Sequence, residues 1–462
     1  MSYIKHRSAA SKNNLMVHHK NTTLINTILL CPFTFFRRLN HYPLFILLFT
    51  CLGIATKPLL AQTLSFDSRY VIHGYSNQAV GQFGVELINL VTVPANVIVS
   101  PASDTNAAGS DKKFLFYSSD QLRNVANGLL LFIGSAFLSS SFTFAYHEYG
   151  HGTRAAAVGF KPFYGHGSIN TEADINAVLS GSIKTYDNFL SFYRASLFNT
   201  GGFTFAIPEK TLFTPLTDEL NNNGWDGLLL TGGLNNEMLF TEFIEDELYG
   251  NSGHIGFMLP YLSGKLSAQS YGTGTGVFND LTNIVNFYDR RGYNIDSDMI
   301  TNASVVSFWG SAMSYQLIYQ FFRTLAGKSS RFTPWQYRGF QLPNTSFYMN
   351  RAGLSYKIRS GYRWQDWRFP FALEHVFEGE KRTELSFGAE KSFGKTTPMV
   401  EATIGKRLEL TLDMSYRQNN WLMFSGGYAL YDQRNLHGER FIPSLENGPT
   451  YHEFYLKTSV MY

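Results

Sequence analysis

Two histidines four residues apart, with a glutamate directly after the first, carry the strongest chemical signal in this chain: His147-Glu148-Tyr149-Gly150-His151. On a helix, residues four apart share a face, so both imidazoles can reach one metal ion. Glu148 sits one step round, placed to take a proton from water activated at the metal. Such an arrangement suits hydrolysis of an amide bond by a zinc-activated hydroxide. The pentapeptide closes a long apolar segment, Asn127 to Tyr146, which predicts a helix carrying the motif. Four serines within that segment, Ser135, Ser139, Ser140 and Ser141, suit burial inside protein better than contact with lipid.

The neighbouring residues sharpen the motif. Gly150 precedes the second histidine, and Ala155, Ala156 and Ala157 come after it. Small residues let a neighbouring backbone or a metal approach closely, alanine prolongs the helix, and Gly159 stops it. The run HEYGHGTRAAAVG resembles zinc metallopeptidases of the zincin type, and locally is similar to the HExGHxxxAxxxG pattern of site-2-protease-like enzymes. The resemblance spans about fifteen residues. It implies Zn2+ held by His147 and His151, with Glu148 as the catalytic base.

A zincin needs a third protein ligand. In the metzincin pattern a histidine would stand six residues after His151, where this chain has Ala157. Two downstream candidates remain. Glu237, in Gly232-Gly-Leu-Asn-Asn-Glu, resembles the glutamate on the second helix of gluzincins. Asp226, in Trp225-Asp226-Gly227, looks like the Asp-Gly motif of site-2-protease-like enzymes without its usual proline. On one continuous helix these two carboxylates would lie about 16 Å apart, so they could not share an ion. Glu237 is favoured, because a carboxylate in an apolar stretch is costly to bury unless it is paired or ligates a metal. Arg154 is a candidate partner for an outer carboxylate, and His166 and His254 are further imidazoles that could stabilise an oxyanion.

The elements that must position these residues fall into three parts. Residues 1–61 read as a signal peptide with an extended N-region: Arg37 and Arg38, an apolar run from Tyr42, and a cleavage point after Ala61. Met16 is an alternative start of translation. The only cysteines, Cys31 and Cys51, lie in that segment, so a metal site in the mature chain must be built from His, Glu and Asp. Residues 62–327 read as a mainly helical domain, with a short strand in Thr63 to Tyr75, a helix or buried strand in Val85 to Val99, a loop from Pro101 to Lys113 and a second apolar helix from Val305 to Phe322.

From about residue 345 to 462 the period changes to two. In Leu408, Leu410, Leu412, Met414 and Tyr416 the apolar positions alternate with Glu409, Thr411, Asp413 and Ser415. About seven such segments form an antiparallel meander. The last alternates Phe454, Leu456, Thr458, Val460 and Tyr462. It resembles the C-terminal signature of bacterial outer-membrane barrels, and a lipid-facing apolar row opposite a polar one is the physical reading. Aromatic content of 16%, abundant glycine and scarce cysteine agree with it, while a net charge of +3 leaves no nucleic-acid footprint.

The expected fold is therefore α+β: a helical zincin-like domain followed by an antiparallel meander, expected to be an outer-membrane β-barrel. The expected function is a zinc-dependent metallopeptidase of the bacterial cell envelope, in the outer membrane or the periplasm facing it. Its partners would be an envelope protein or peptide substrate and the membrane. The alternative is a non-enzymatic outer-membrane barrel in which the HExxH is structural. A multi-pass inner-membrane protease would need more apolar spans than the chain supplies.

Overall fold

In a computed structural model the described residues are 63–67, 77–92, 95, 119–157, 160–167, 172–197, 202–208, 225–251, 253–271, 279–432, 434–436 and 450–461. The expected signal segment, the Pro101–Lys113 loop and Tyr462 lie outside them.

Chain order begins with β1 (Thr63–Asp67) and α1 (Asn77–Leu90), then the long motif helix α2 (Ser119–Ala157). At 39 residues α2 runs for about 58 Å. It is the one helix among the described residues long and apolar enough to cross a membrane. Its motif half is nevertheless core: Phe142, Ala145, Tyr146 and Tyr149 are almost fully buried, and so are Ser135 and Ser139. A small antiparallel sheet comes next, β2 (Phe160–His166), β3 (Thr185–Tyr186) and β4 (Gly202–Pro208), in the order β3-β2-β4. The short helices α3 (Glu172–Leu179) and α4 (Phe189–Ser196) lie between its strands in sequence.

The second long helix is α5 (Trp225–Asn251), so Asp226 and Glu237 do share one helix. After it come α6 (Met258–Lys265), α7 (Ser267–Tyr271), α8 (Asp280–Arg290), α9 (Ser297–Trp309) and α10 (Ala312–Leu325). Caps explain two of the starts: the side chain of Asn279 accepts from Thr282 N and that of Asp296 from Met299 N. The single helix expected from Val305 to Phe322 is thus two. The chain turns at Gly310-Ser311, where Ser311 Oγ donates to Thr345 O and the backbone N–H of Thr345 returns a bond to it. Apolar residues run through both sides of that turn, so apolar content could not reveal the break.

The rest is one antiparallel sheet. Its strands are β5 (Gln336–Tyr337), β6 (Phe340–Asn350), β7 (Gly353–Trp364), β8 (Trp367–Gly379), β9 (Thr383–Lys391), β10 (Thr396–Ile404), β11 (Leu408–Arg417), β12 (Leu422–Asp432) and β13 (Thr450–Met461). They pair in meander order from β5 to β13, and the early strand β1 adds beside β13, giving ten strands. β1 and β5 stand at the two edges and are not paired with each other among the described residues, so the sheet is open.

Across β9 to β11 burial on this sheet is inverted, whereas β6 and β7 bury Phe347, Met349 and Leu354 against the helices. Along β9, Glu384 and Ser386 are buried while Leu385 and Phe387 are about half exposed; along β11, Glu409 is buried and Leu408, Leu412 and Met414 are exposed. On β7 the polar side chains meet α5, and those of later strands, such as Ser386 and Thr411, face the same acids across a cavity. There Lys357 Nζ meets Glu242 Oε2 at 2.7 Å, and Arg359 bonds both Asp246 oxygens and Glu245 Oε2. Buried charges persist only when paired in this way.

Helices α2 and α5 meet backbone to backbone. A Cβ on Gly150 would collide with the carbonyl of Gly232, and one on Gly232 with that of Gly150. Gly150→Ala is expected to cost about 1–3 kcal/mol through forced separation of the helices, seen as a lower midpoint in urea unfolding.

His254 is buried and its Nδ1 accepts from Gly256 N, which starts the short 3-10 turn Ile255–Phe257. Burial pushes its imidazole down from 6.5 to about 3. Below pH 6.5 the unfolded chain gains a proton that the folded one refuses until about pH 3, so stability is lost as pH falls through that window. His254→Asn keeps the acceptor and removes the titration. The wild type's advantage in melting temperature over this variant should shrink between pH 7 and 4; a constant difference would refute the assignment.

Candidate metal centre

The motif histidines lie on the face of α2 that turns toward α5 and α8. Both rings are fixed from behind through Nδ1. His147 Nδ1 donates to Glu237 Oε1 at 2.9 Å, and His151 Nδ1 donates to the backbone carbonyl of Leu229 at 2.6 Å. A carbonyl oxygen only accepts, so His151 must carry its proton on Nδ1, and the carboxylate holds His147 in the same tautomer. Both Nε2 lone pairs are thereby turned inward.

A third acceptor meets them. Asp280, in the first turn of α8, brings Oδ2 to 3.1 Å from His147 Nε2 and 3.3 Å from His151 Nε2. The two Nε2 atoms are 3.2 Å apart. A tetrahedral zinc with bonds of 2.0–2.1 Å would space its ligand atoms about 3.3 Å apart. Two imidazole nitrogens and one carboxylate oxygen this close form a group that could hold a metal ion, and protons shared between Nε2 and Oδ2 would satisfy the same contacts. Among the described residues, His147, His151 and Asp280 are the one group with the spacing to hold a metal.

The electrostatics agree. Burial pushes the His147 imidazole down, but the negative Glu237 and Asp280 and the hydrogen bonds they accept outweigh it, leaving it well above its ordinary value. His151 shows the same balance, with Asp280 as the chief opposing charge. Asp280 itself is pushed up by burial and pulled down harder by the two imidazoles, ending well below the usual carboxylate range. The pocket is thus built to hold positive charge.

Glu148 is buried beside this triangle. The hydroxyl of Thr204, on β4, lies 2.8 Å from both Glu148 Oε2 and Glu148 O, tying the small sheet to the carboxylate. Tyr271, at the end of α7, stacks on the His147 ring at 5.4 Å, and its hydroxyl is 3.1 Å from His147 Nε2. Burial first, then the charges of Glu237, Asp280 and Glu148, push its phenol well above the ordinary value, so it is a hydrogen-bond donor at any working pH.

Of the residues expected from sequence, His147, Glu148 and His151 come together. Glu237 reaches the site but at the far nitrogen of His147, as the group that orients the ring; the third position in the triangle belongs to Asp280. Asp226 lies in the first turn of α5, and its side chain is outside the described residues. Arg154 donates to the carbonyls of Gly150 and Gly232, clamping the helix crossing. His166 stacks on Phe192 at 4.9 Å within an aromatic cluster, and His254 caps a turn; neither is a member of the triangle. Asp280, Thr204 and Tyr271 were missed. Asn279-Asp280 reads in sequence only as a helix start, and nothing local marks the other two.

No protein-family model, curated protein or solved structure matches this chain.

The two carboxylates are separable by experiment. If Zn2+ occupies the triangle, Asp280→Asn is expected to lose it, whereas Glu237→Gln should keep it with an affinity roughly 10–100-fold weaker, as for loss of a ligand-orienting group. Chelator competition monitored by atomic absorption reads both, and the reverse order would make Glu237 the ligand.

Proposed function

We propose that this chain is a zinc-dependent peptidase of a bacterial envelope, seated in a membrane by a sheet of the outer-membrane barrel type. The observation that carries the peptidase reading is the convergence of His147 Nε2, His151 Nε2 and Asp280 Oδ2 at tetrahedral spacing beside Glu148. Two imidazoles and one carboxylate suit Zn2+, and three protein ligands leave a fourth position open. Zinc held there supplies a Lewis acid that makes water nucleophilic near neutral pH.

The chain's own residues do the rest. Glu237 and the Leu229 carbonyl hold the imidazoles in the tautomer that presents Nε2. Glu148 takes the proton of the attacking water and returns it to the leaving amine. Thr204 fixes the carboxylate through Oε2, so that Oε1 is the atom that works. Tyr271 is a buried donor beside His147, suited to hydrogen-bond the substrate carbonyl oxygen as negative charge grows on it. Substrates are envelope polypeptides.

Support for the membrane seat comes from the inverted sheet. A soluble sheet does not turn Leu385, Phe387, Leu412, Met414, Phe454 and Leu456 outward while burying Glu384, Glu409 and Lys357. That same inversion supports a second reading, a non-enzymatic outer-membrane protein with a structural HEYGH. Metal content and turnover separate them.

The wild type should purify with one zinc per chain and cleave an unfolded envelope-protein substrate. Glu148→Gln should retain the zinc and lose about 10²–10⁴-fold in kcat, while His151→Ala loses the metal. Tyr271→Phe should also retain zinc and lose about 10²–10³-fold in kcat with KM little changed. Absence of metal from all of these proteins would leave the non-enzymatic reading standing.

A further inference from the structure

From Met299 to Gln365 the chain contains no Asp or Glu, yet carries eight Lys and Arg. Two of these, Lys357 and Arg359, turn inward to the acids of α5. Arg323, Lys328, Arg331 and Arg338 are exposed. The same stretch holds a connected set of exposed aromatic rings. Tyr315, Tyr319 and Phe322 recur at helical spacing along α10, each 45% exposed or more. Trp309 of α9 packs on Tyr315 at 6.0 Å, and Trp335, just before β5, packs on Tyr319 at 5.4 Å. Two of the bases lie over exposed rings: Arg323 over Tyr319 at 5.9 Å, and Arg338 over Tyr337 of β5 at 5.5 Å.

We infer that α9, α10 and β5 form a cationic–aromatic collar that seats on the anionic headgroup layer of a bilayer, an inference that rests on the membrane reading above. Charge decides the sign of the partner: beyond Asp298, in the first turn of α9, the chain through β5 supplies bases and no carboxylate, which is complementary to phosphate groups. Ring type decides the depth. Trp and Tyr, with an apolar body and a polar tip, belong at the boundary between headgroups and acyl chains. Continuity decides between lipid and other polyanions. β5 pairs with β6 at one edge of the sheet, so the collar adjoins the sheet's outward apolar face. A nucleic acid or an acidic protein would leave that face bare. The collar also falls where the sheet is open, so helices take over the membrane contact that the meander does not supply.

The test uses the full chain with Cys31 and Cys51 replaced by serine. Single cysteines at Tyr319 and Gln336 in the collar, at Leu412 on the sheet and at the exposed Asp289 of α8 carry an environment-sensitive fluorophore. Proteins are reconstituted in vesicles of phosphatidylcholine with phosphatidylglycerol, containing nitroxide on the headgroup of either lipid or on an acyl chain. The expected result is quenching at 319 and 336 by headgroup nitroxide, with preference for labelled phosphatidylglycerol. Arg323→Gln with Arg338→Gln should cut that preference by roughly 30-fold. Leu412 should be quenched from the acyl chain and Asp289 by neither. Acyl-chain quenching at 412 with water-exposed labels at 319 and 336 overturns the collar and spares the membrane reading. Water exposure at all four positions sinks both. Quenching at 319 and 336 without preference for the anionic lipid also overturns the collar as stated.

Discussion

The site depends on one close contact, the crossing of α2 and α5 at Gly150 and Gly232. Helix axes ordinarily stand 8–10 Å apart because side chains keep them there. Here neither residue has a side chain, and Gly233 removes another that would strike the His147 ring. The backbones therefore touch. That approach brings the Leu229 carbonyl to His151 and Glu237 to His147, and so fixes both tautomers. Arg154 bridges the carbonyls on either side of the contact. Without this proximity the imidazoles would have no fixed hydrogen-bond acceptors behind them.

α5 then serves two chemistries along one rod. Its middle supplies Glu237 to the histidines. Five to nine residues further on, Glu242, Glu245 and Asp246 enter the polar face of the sheet and meet Lys357, Arg359 and Arg368. Lys265, fully buried on α6, joins through Glu245. Buried charges of this density are stable only as a paired network, and removing one partner would strand the others. The helical layer and the sheet are thus tied by these ion pairs as well as by an apolar cluster in which Leu234, Met238 and Ile284 meet Phe347, Met349 and Leu354. Across β9 to β11 the apolar side chains are turned outward instead.

Much of this was legible in the sequence. The HExxH spacing states a helix with two imidazoles on one face, and Gly150 and the alanines after it state a close neighbour. Period-two alternation marks the strands from Gly353 onward, because a strand's side chains must alternate whatever surrounds it. Other features arise from contacts remote in sequence. Thr63–Asp67 joins the sheet beside β13, almost four hundred residues later, and no local pattern specifies that partner. Alternation was visible in Leu385, Phe387 and their polar neighbours, but which row is buried depends on whether α5 brings charges or apolar groups to that face.

The division at the site is the clearest. Sequence by itself determined His147, Glu148 and His151, because a helix places residues four apart on one face without outside help. It also marked Glu237 as a carboxylate needing a partner, since burial cost alone requires one. Which partner, and at which atom, was decided by tertiary structure. Glu237 meets Nδ1 because the glycine crossing brings α5 behind the ring. Asp280, 129 residues after His151, reads as an ordinary helix-start residue until α8 packs against α5 and turns its carboxylate inward. A triangle of ligand atoms is a set of distances, and distances between remote segments exist only once the chain has folded.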